Sequence, residues 1–164
     1  MNDKRAPTPS QTVGPFFGFA LPFADDYEAT QASGRETVRV EGTLIDGDGQ
    51  VVSDGLIEVW SQDQFARCRT DAEGAYRFVI ARPHGKSGTT EAPHLDVAVF
   101  ARGLLRYLLT RMYFPDLTSA NADDPLLASV DESRRATLIA ELNGASLRFD
   151  IRLQGDKETV FFAV

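Results

Sequence analysis

The stretch that decides the fold of this chain is TVRVEGTL, residues 37–44, in which apolar and polar side chains alternate. Val38, Val40, Gly42 and Leu44 fall on one face of an extended backbone, which predicts a half-buried β-strand. Turn residues such as DGDGQ at 46–50 follow. Further strands are predicted at 56–60 (LIEVW), 76–80, 94–102, 106–114, 146–154 and 158–162. Seven or eight short strands separated by turns are typical of an all-β fold, an antiparallel β-sandwich.

The segments outside these strands predict little helix. One short helix is expected over residues 133–142, with Ser133 as its N-cap and Asn143-Gly144 after its end. Residues 1–36 are rich in proline and phenylalanine and follow no period, which predicts an irregular N-terminal arm that packs on its own domain or on a partner chain. No repeat or linker interrupts the chain, so residues 1–164 are predicted to form one domain.

The composition excludes several classes of protein. The 164 residues are 43% hydrophobic and 25% charged, which is ordinary for a globular domain. A net charge of -7 argues against nucleic acid as a partner. No apolar run approaches the roughly 18 residues of a membrane span, and residues 1–10 lack the apolar stretch of a signal peptide. Cys68 is the only cysteine and has no internal disulfide partner, which favours a cytoplasmic location.

The most suggestive local pattern is His94-Leu95-Asp96. Residues two apart in a strand face the same side, so the imidazole and the carboxylate could both reach one metal ion. A non-haem iron site with two histidines and a carboxylate needs a second histidine, and only His84, in a polar loop, remains. We therefore favour a histidine that is satisfied by the neighbouring carboxylate. Cys68 lies between two arginines, but a small residue in a strand is the favoured interpretation there.

Three arginines of the predicted 94–114 hairpin offer a second signal, because a guanidinium matches the two oxygens of a carboxylate. They are Arg102, Arg106 and Arg111. The alternative is that they are solvated residues that protect a sheet edge from pairing. The residues alone leave both interpretations open.

Five blocks of sequence, in order and spanning nearly the whole chain, carry a family resemblance. They are TPSQTVGPFF (8–17), LIEVW (56–60), APHLDVAVFARG (92–103), TRMYF (110–114) and LRFDIRLQGDKETVFF (147–162). These blocks resemble the intradiol ring-cleavage dioxygenases, and within that family the protocatechuate 3,4-dioxygenase alpha chains.

The resemblance implies a β-sandwich subunit of a non-haem Fe(III) enzyme of aromatic catabolism, in the beta-ketoadipate pathway. Such an enzyme converts protocatechuate and O2 into 3-carboxy-cis,cis-muconate. In the family, a homologous beta chain holds the iron with two tyrosines and two histidines, and alpha and beta chains form a hetero-oligomer. The alpha chain has no catalytic residue of its own but contributes to the substrate pocket.

Applied to this sequence, the resemblance implies that this chain binds no iron. The His-x-His pair of iron-binding chains reads His94-Leu95-Asp96 here, and the two stretches where the tyrosine ligands would fall contain no tyrosine. The resemblance also implies that the substrate-binding residues of this chain are Thr12, Gly14, Pro15 and Arg102. The chain also looks shorter than the family, with residues missing between Phe23 and Thr37 and after Trp60.

Two other functions remain open at this stage. One is a non-catalytic, transthyretin-like β-sandwich that acts as a binding module. The other is an independent iron oxygenase that uses His94 and Asp96 together with a ligand from another subunit.

Overall fold

The structure is a computed structural model that describes Thr12, Gly14, residues 17–29 and residues 34–163. Within these ranges it contains ten strands, several of them very short. The strands are β1 (Glu28–Ala29), β2 (Thr37–Ile45), β3 (Leu56–Ser61), β4 (Gln64–Arg69), β5 (Ala75–Ala81), β6 (His94–Phe100), β7 (Leu108–Tyr113), β8 (Glu141–Asn143), β9 (Ser146–Arg148) and β10 (Ile151–Arg152).

The strands form the two layers of a sandwich. One sheet has the order β1-β5-β2-β9-β8, with β10 also paired to β2, and the other has the order β4-β3-β6-β7. The prediction of an all-β sandwich is confirmed. Two details differ: the described residues form ten strands, not seven or eight, and three pairings are parallel, that of β1 with β5 and those of β9 and β10 with β2.

The core lies between the two sheets, and the alternation of β2 decides which side chains enter it. Val38, Val40, Gly42 and Leu44 are buried, while Arg39 and Glu41 between them are exposed. Ile57 and Val59 of β3 close the core from the opposite sheet. The prediction from the 37–44 stretch is therefore confirmed at the level of single side chains.

Gly42, at the centre of β2, marks a close approach between three strands. The Tyr76 hydroxyl, on β5, passes over Gly42 and donates a hydrogen bond to the carbonyl oxygen of Phe149, between β9 and β10. A Cβ at Gly42 would overlap both groups. Burial raises the pKa of Tyr76 well above its ordinary value, so the phenol stays protonated as the donor.

The C-terminal segment runs parallel to β2 in two pieces. The predicted 146–154 strand breaks at Phe149 and Asp150, and the Asp150 carboxylate accepts a hydrogen bond from the Thr43 amide, at 3.0 Å, where the ladder is interrupted. Residues 158–162 form no strand; they contribute a single bridge, between Leu109 and Phe162.

The helices differ most from expectation. The helix predicted over 133–142 is wrong, because α4 (Glu132–Arg135) ends after four residues, a 3-10 turn (Ala136–Leu138) follows, and the chain then enters β8. Asp131, not Ser133, caps α4. The other helices among the described residues are α1 (Phe17–Ala20), α2 (Thr118–Asp123) and α3 (Pro125–Ser129).

Asp124 joins α3 to the neighbouring sheet. Its fully buried carboxylate accepts hydrogen bonds from the amides of Leu127 (2.8 Å) and Ala92 (2.9 Å) and from the Tyr113 hydroxyl (3.1 Å). Burial raises the pKa of Tyr113 to about 12, so this hydroxyl remains a donor. The helical segment is thereby fixed to the chain just before β6, where the candidate site begins.

The described part of the N-terminal arm packs on its own domain in places. Phe17 is buried and β1 pairs with β5, yet Phe23 is 74% exposed. One helical turn, α1, forms within the arm despite its prolines. Residues 1–11, 13, 15, 16 and 30–33 of the arm, Pro15 among them, lie outside the described ranges. None of the helices in the described ranges is both long enough and apolar enough to cross a membrane.

Candidate functional site

A polar cleft lies at the beginning of β6, where the sequence placed its metal-like pattern. His94 and Asp96 project from the same face of the strand, as predicted. The cleft has a volume of about 530 Å³, and the side chains that define its chemistry are Gln62, His84, Glu91, His94, Asp96 and Arg111.

The imidazole of His94 is held from both sides. Its Nδ1 lies 2.7 Å from the carbonyl oxygen of Ala92, and because a carbonyl only accepts, Nδ1 is the donor. Its Nε2 lies 3.5 Å from the Asp96 carboxylate. The neighbouring carboxylate thus faces His94 as the sequence suggested.

Arg111, on β7 directly opposite Asp96, and Lys86, in the loop before β6, supply the positive charges of the cleft. The Nε of Arg111 donates to the Asp96 carboxylate at 3.0 Å, and its Nη2 lies 3.4 Å from Glu91. Burial alone would lower the pKa of Arg111, but Tyr113 and the carboxylates outweigh it and raise the pKa. Only 17% of the side chain is exposed, so Arg111 is no solvated edge residue.

The pKa of Asp96 responds to the same contacts. Burial would raise the pKa, but the hydrogen bond and charge of His94 and the charge of Arg111 outweigh burial and lower it. Asp96 is therefore an ionised carboxylate that faces both His94 and Arg111.

These side chains do not fit a ferric ion. The Arg111 guanidinium already pairs with both Asp96 and Glu91, so a metal cation would meet a fixed positive charge between these carboxylates. His84 is engaged by the Arg35 guanidinium, with Nη1 3.1 Å from its Nδ1. In the described ranges no group of three histidine, cysteine or acidic side chains is placed to hold a metal.

The predicted pocket residue Arg102 lies at the opposite end of β6. β6 has seven residues, so its two ends lie roughly 20 Å apart at about 3.4 Å per residue. Arg102 is exposed (68%), and its Nε donates to the carboxylate of Asp54. Both residues border an open cavity of about 560 Å³ between the 46–54 and 101–103 loops.

The predicted N-terminal pocket residues are only partly visible. Thr12 is exposed and its hydroxyl accepts a hydrogen bond from the Gly14 amide at 3.2 Å. Gly14 has φ +70°, a conformation that favours glycine, while a Cβ there would meet nothing within 4 Å among the described atoms. Pro15 lies outside the described residues, and no described hydrogen bond joins Thr12 or Gly14 to Arg102.

Sequence reasoning missed the partners of both arginines. Pairing 94–102 with 106–114 in register would have placed Asp96 opposite Arg111. Asp54 gave no such signal, because its contact with Arg102 depends on how two loops meet. Cys68 is a half-buried strand residue, and burial raises the pKa of its thiol, against a reactive thiolate.

Comparison with known proteins identifies relatives that are similar to this chain in sequence. The chain is 39% identical to the protocatechuate 3,4-dioxygenase alpha chain of Burkholderia cepacia, over 96% of this chain and 97% of that one. It is 36% identical to the alpha chain of Pseudomonas putida, over 94% and 95%. It is 30% identical to the beta chain of Burkholderia cepacia, over 76% and 67%. The alignments with the alpha chains span 193 and 192 positions, more than the 164 residues of this chain, so each alignment contains gaps in this chain.

Solved structures agree on the fold. An intradiol ring-cleavage dioxygenase from Tetranychus urticae matches with a TM-score of 0.62 and 12% identity, over 77% of this chain and 83% of that one. The dioxygenase domain of a carbohydrate-binding fusion from Streptomyces sp. SirexAA-E matches with a TM-score of 0.57 and 20% identity, over 94% and 100%. No family model matches the chain.

The relatives and the fold point the same way. The identity to two alpha chains exceeds one third and extends over nearly the full length of both chains. The chain belongs to the family of protocatechuate 3,4-dioxygenase alpha chains.

Proposed function

We propose that the chain is the non-metal alpha subunit of an Fe(III)-dependent intradiol dioxygenase that converts protocatechuate and O2 into 3-carboxy-cis,cis-muconate. The observation that carries this proposal is the 39% identity, over almost the whole of both chains, to a protein named protocatechuate 3,4-dioxygenase alpha chain. The separate match to a beta chain supports a hetero-oligomer of two homologous chains. The single cysteine supports a cytoplasmic location.

The iron is assigned to the beta chain in this proposal. The support comes from Arg111, whose guanidinium pairs with the carboxylates that a metal on this chain would need. When bound by the partner, the ferric ion supplies Lewis-acid activation of the catechol. The present chain then contributes the shape and charge of the pocket.

Arg102 is the residue proposed to bind the substrate's carboxylate, with Thr12, Gly14 and Pro15 near the mouth of the partner's site. Arg102 is exposed and placed on a loop, so it is accessible to a neighbouring chain. In a chain of net charge -7, a local positive charge favours the approach of an anionic substrate.

Production of the chain alone and together with its beta chain tests the division of labour. The lone chain is expected to hold no stoichiometric iron and to show no O2 uptake with protocatechuate, and the pair is expected to show both. Stoichiometric iron on the lone chain, or turnover by it, would contradict the proposal.

The substitution Arg102→Ala in the assembled enzyme tests the pocket role. Loss of a bidentate charged contact is expected to raise the KM for protocatechuate by about tenfold or more, and to leave the KM for unsubstituted catechol unchanged. Arg106→Ala is the matched control, because Arg106 is an exposed arginine of the same loop. A binding module without a part in catalysis would instead leave the kinetics unchanged in both variants.

A further inference from the structure

We propose that Asp54 is a positioning residue that holds the guanidinium of Arg102 in its substrate-binding orientation. This inference rests on the proposed role of Arg102. Asp54 lies in the loop between β2 and β3, Arg102 lies two residues after β6, and their ion pair joins the two loops across the open cavity. The side chain of Asp54 is 27% exposed, against 68% for Arg102.

The geometry of the pair leaves the useful part of Arg102 available. Asp54 accepts from Nε alone, and within the described part of the chain no hydrogen bond reaches Nη1 or Nη2 of Arg102. Two parallel N–H groups on Nη1 and Nη2 are the donors that bind a carboxylate through both of its oxygens. Asp54 therefore fixes one edge of the guanidinium and leaves the other edge for an anionic ligand.

Asp54 can hold Arg102 in place because the backbone on both sides of Asp54 is anchored by hydrogen bonds. The buried Thr70 hydroxyl donates to the carbonyl oxygen of Val52 at 2.8 Å and accepts from the amide of Gly55 at 2.8 Å. The amide of Thr70 donates to the carbonyl oxygen of Gly55 at 2.9 Å, which closes a second bond to the same residue. The loop thus presents Asp54 from a rigid support.

A flexible, exposed arginine loses rotamer freedom when it binds, and this loss reduces affinity. The ion pair with Asp54 restricts the side chain before substrate arrives, so less freedom remains to be lost. The negative charge of Asp54 works in the opposite direction, because it repels an anionic substrate. A test must therefore separate the hydrogen bond from the charge.

The test uses steady-state kinetics of the assembled alpha/beta enzyme with protocatechuate and with unsubstituted catechol. Asp54→Ala is expected to raise the KM for protocatechuate by about three- to tenfold, with kcat unchanged and the KM for catechol unchanged. Asp54→Asn, which keeps an acceptor for Nε, is expected to restore the KM to near the original value. Asp48→Ala removes an equal charge from the exposed 46–50 turn and is expected to change neither KM.

A double-mutant cycle then asks whether Asp54 acts through Arg102. In an Arg102→Ala background, adding Asp54→Ala is expected to produce no further rise in KM. An unchanged KM in Asp54→Ala alone, or an equal rise in both backgrounds, would overturn the inference while leaving the role of Arg102 intact. If Arg102→Ala itself leaves the KM unchanged, the proposed role of Arg102 fails, and this inference fails with it.

Discussion

Asp96 shows what a single residue contributes at the polar cleft. Its carboxylate accepts a hydrogen bond from the Nε of Arg111 at 3.0 Å and lies 3.5 Å from the Nε2 of His94. These contacts lower its pKa below the ordinary value of about 3.9. Because the pKa of Asp96 is lowered in the folded state, the ionised carboxylate stabilises the fold at pH values above the ordinary pKa. This stabilisation is lost as the pH falls through the folded-state pKa.

We therefore predict that Asp96→Asn lowers the free energy of unfolding at pH 7 by less than about 1 kcal/mol, since Asp96 is half-exposed. The difference from the original chain should shrink as the pH falls below about 4. Urea unfolding at pH 7 and at pH 3 measures it, with Asp48→Asn as a control for the loss of one exposed charge. An equal difference at both pH values would count against the ion pairs.

For single residues, the sequence predicted the face on which a side chain lies better than it predicted the residue that the side chain contacts. The alternation of 94–102 correctly placed His94 and Asp96 on one face, because strand geometry alone decides that. The pairing of Arg102 with Asp54 depends on two loops that are distant in sequence, and no local pattern encodes such a contact.

In the sheet formed by β2 and its neighbours, Gly42 leaves no room for a side chain. The Tyr76 hydroxyl and the Phe149 carbonyl both lie where a Cβ would be built. We predict that Gly42→Ala lowers the free energy of unfolding by about 2 kcal/mol or more, because backbone and a buried ring would have to move. Gly85→Ala, with nothing within 4 Å, should be nearly neutral in the same thermal or urea unfolding experiment.

The helical segment gives a second prediction for an element. Asp124→Ala removes the N-cap of α3 and leaves the buried donors of Ala92 and Tyr113 without their acceptor. We expect a loss of about 3 kcal/mol or more in the free energy of unfolding, with faster amide exchange at Ala92 and Leu127. Asp131→Ala removes an exposed N-cap and should cost only about 1 kcal/mol. Equal losses in the two variants would argue against the buried role of Asp124.

Whether an element was predictable depended on whether local geometry or tertiary pairing decided it. The alternating strand β2 was found because burial on one face leaves a period of two. The 133–142 helix prediction was wrong because Asn143 ends β8 and Gly144-Ala145 form the hairpin loop between β8 and β9, so Asn143-Gly144 does not mark a helix end. The Asp124-Pro125 pair carried an N-cap and N1 signal that would have located α3.

For the molecule as a whole, both sheets contribute side chains to one core. We predict a single cooperative unfolding transition, in line with the one domain expected from the sequence. Trp60, the only tryptophan, lies on β3 and reports on one sheet by fluorescence, while far-UV circular dichroism reports on both. The two midpoints should coincide, and Gly42→Ala should shift both although Gly42 lies in the other sheet. Separate midpoints would indicate two independently folding units.

The parallel pairing of β2 also has a consequence during synthesis. One edge of β2 is completed by β9 and β10, which are made about a hundred residues later. Until the ribosome has released those residues, a nascent chain carries an unpaired edge of its central strand, and such edges attract other chains. A stalled or prematurely terminated product should therefore aggregate, and a chaperone that shields strand edges would be most useful in that interval.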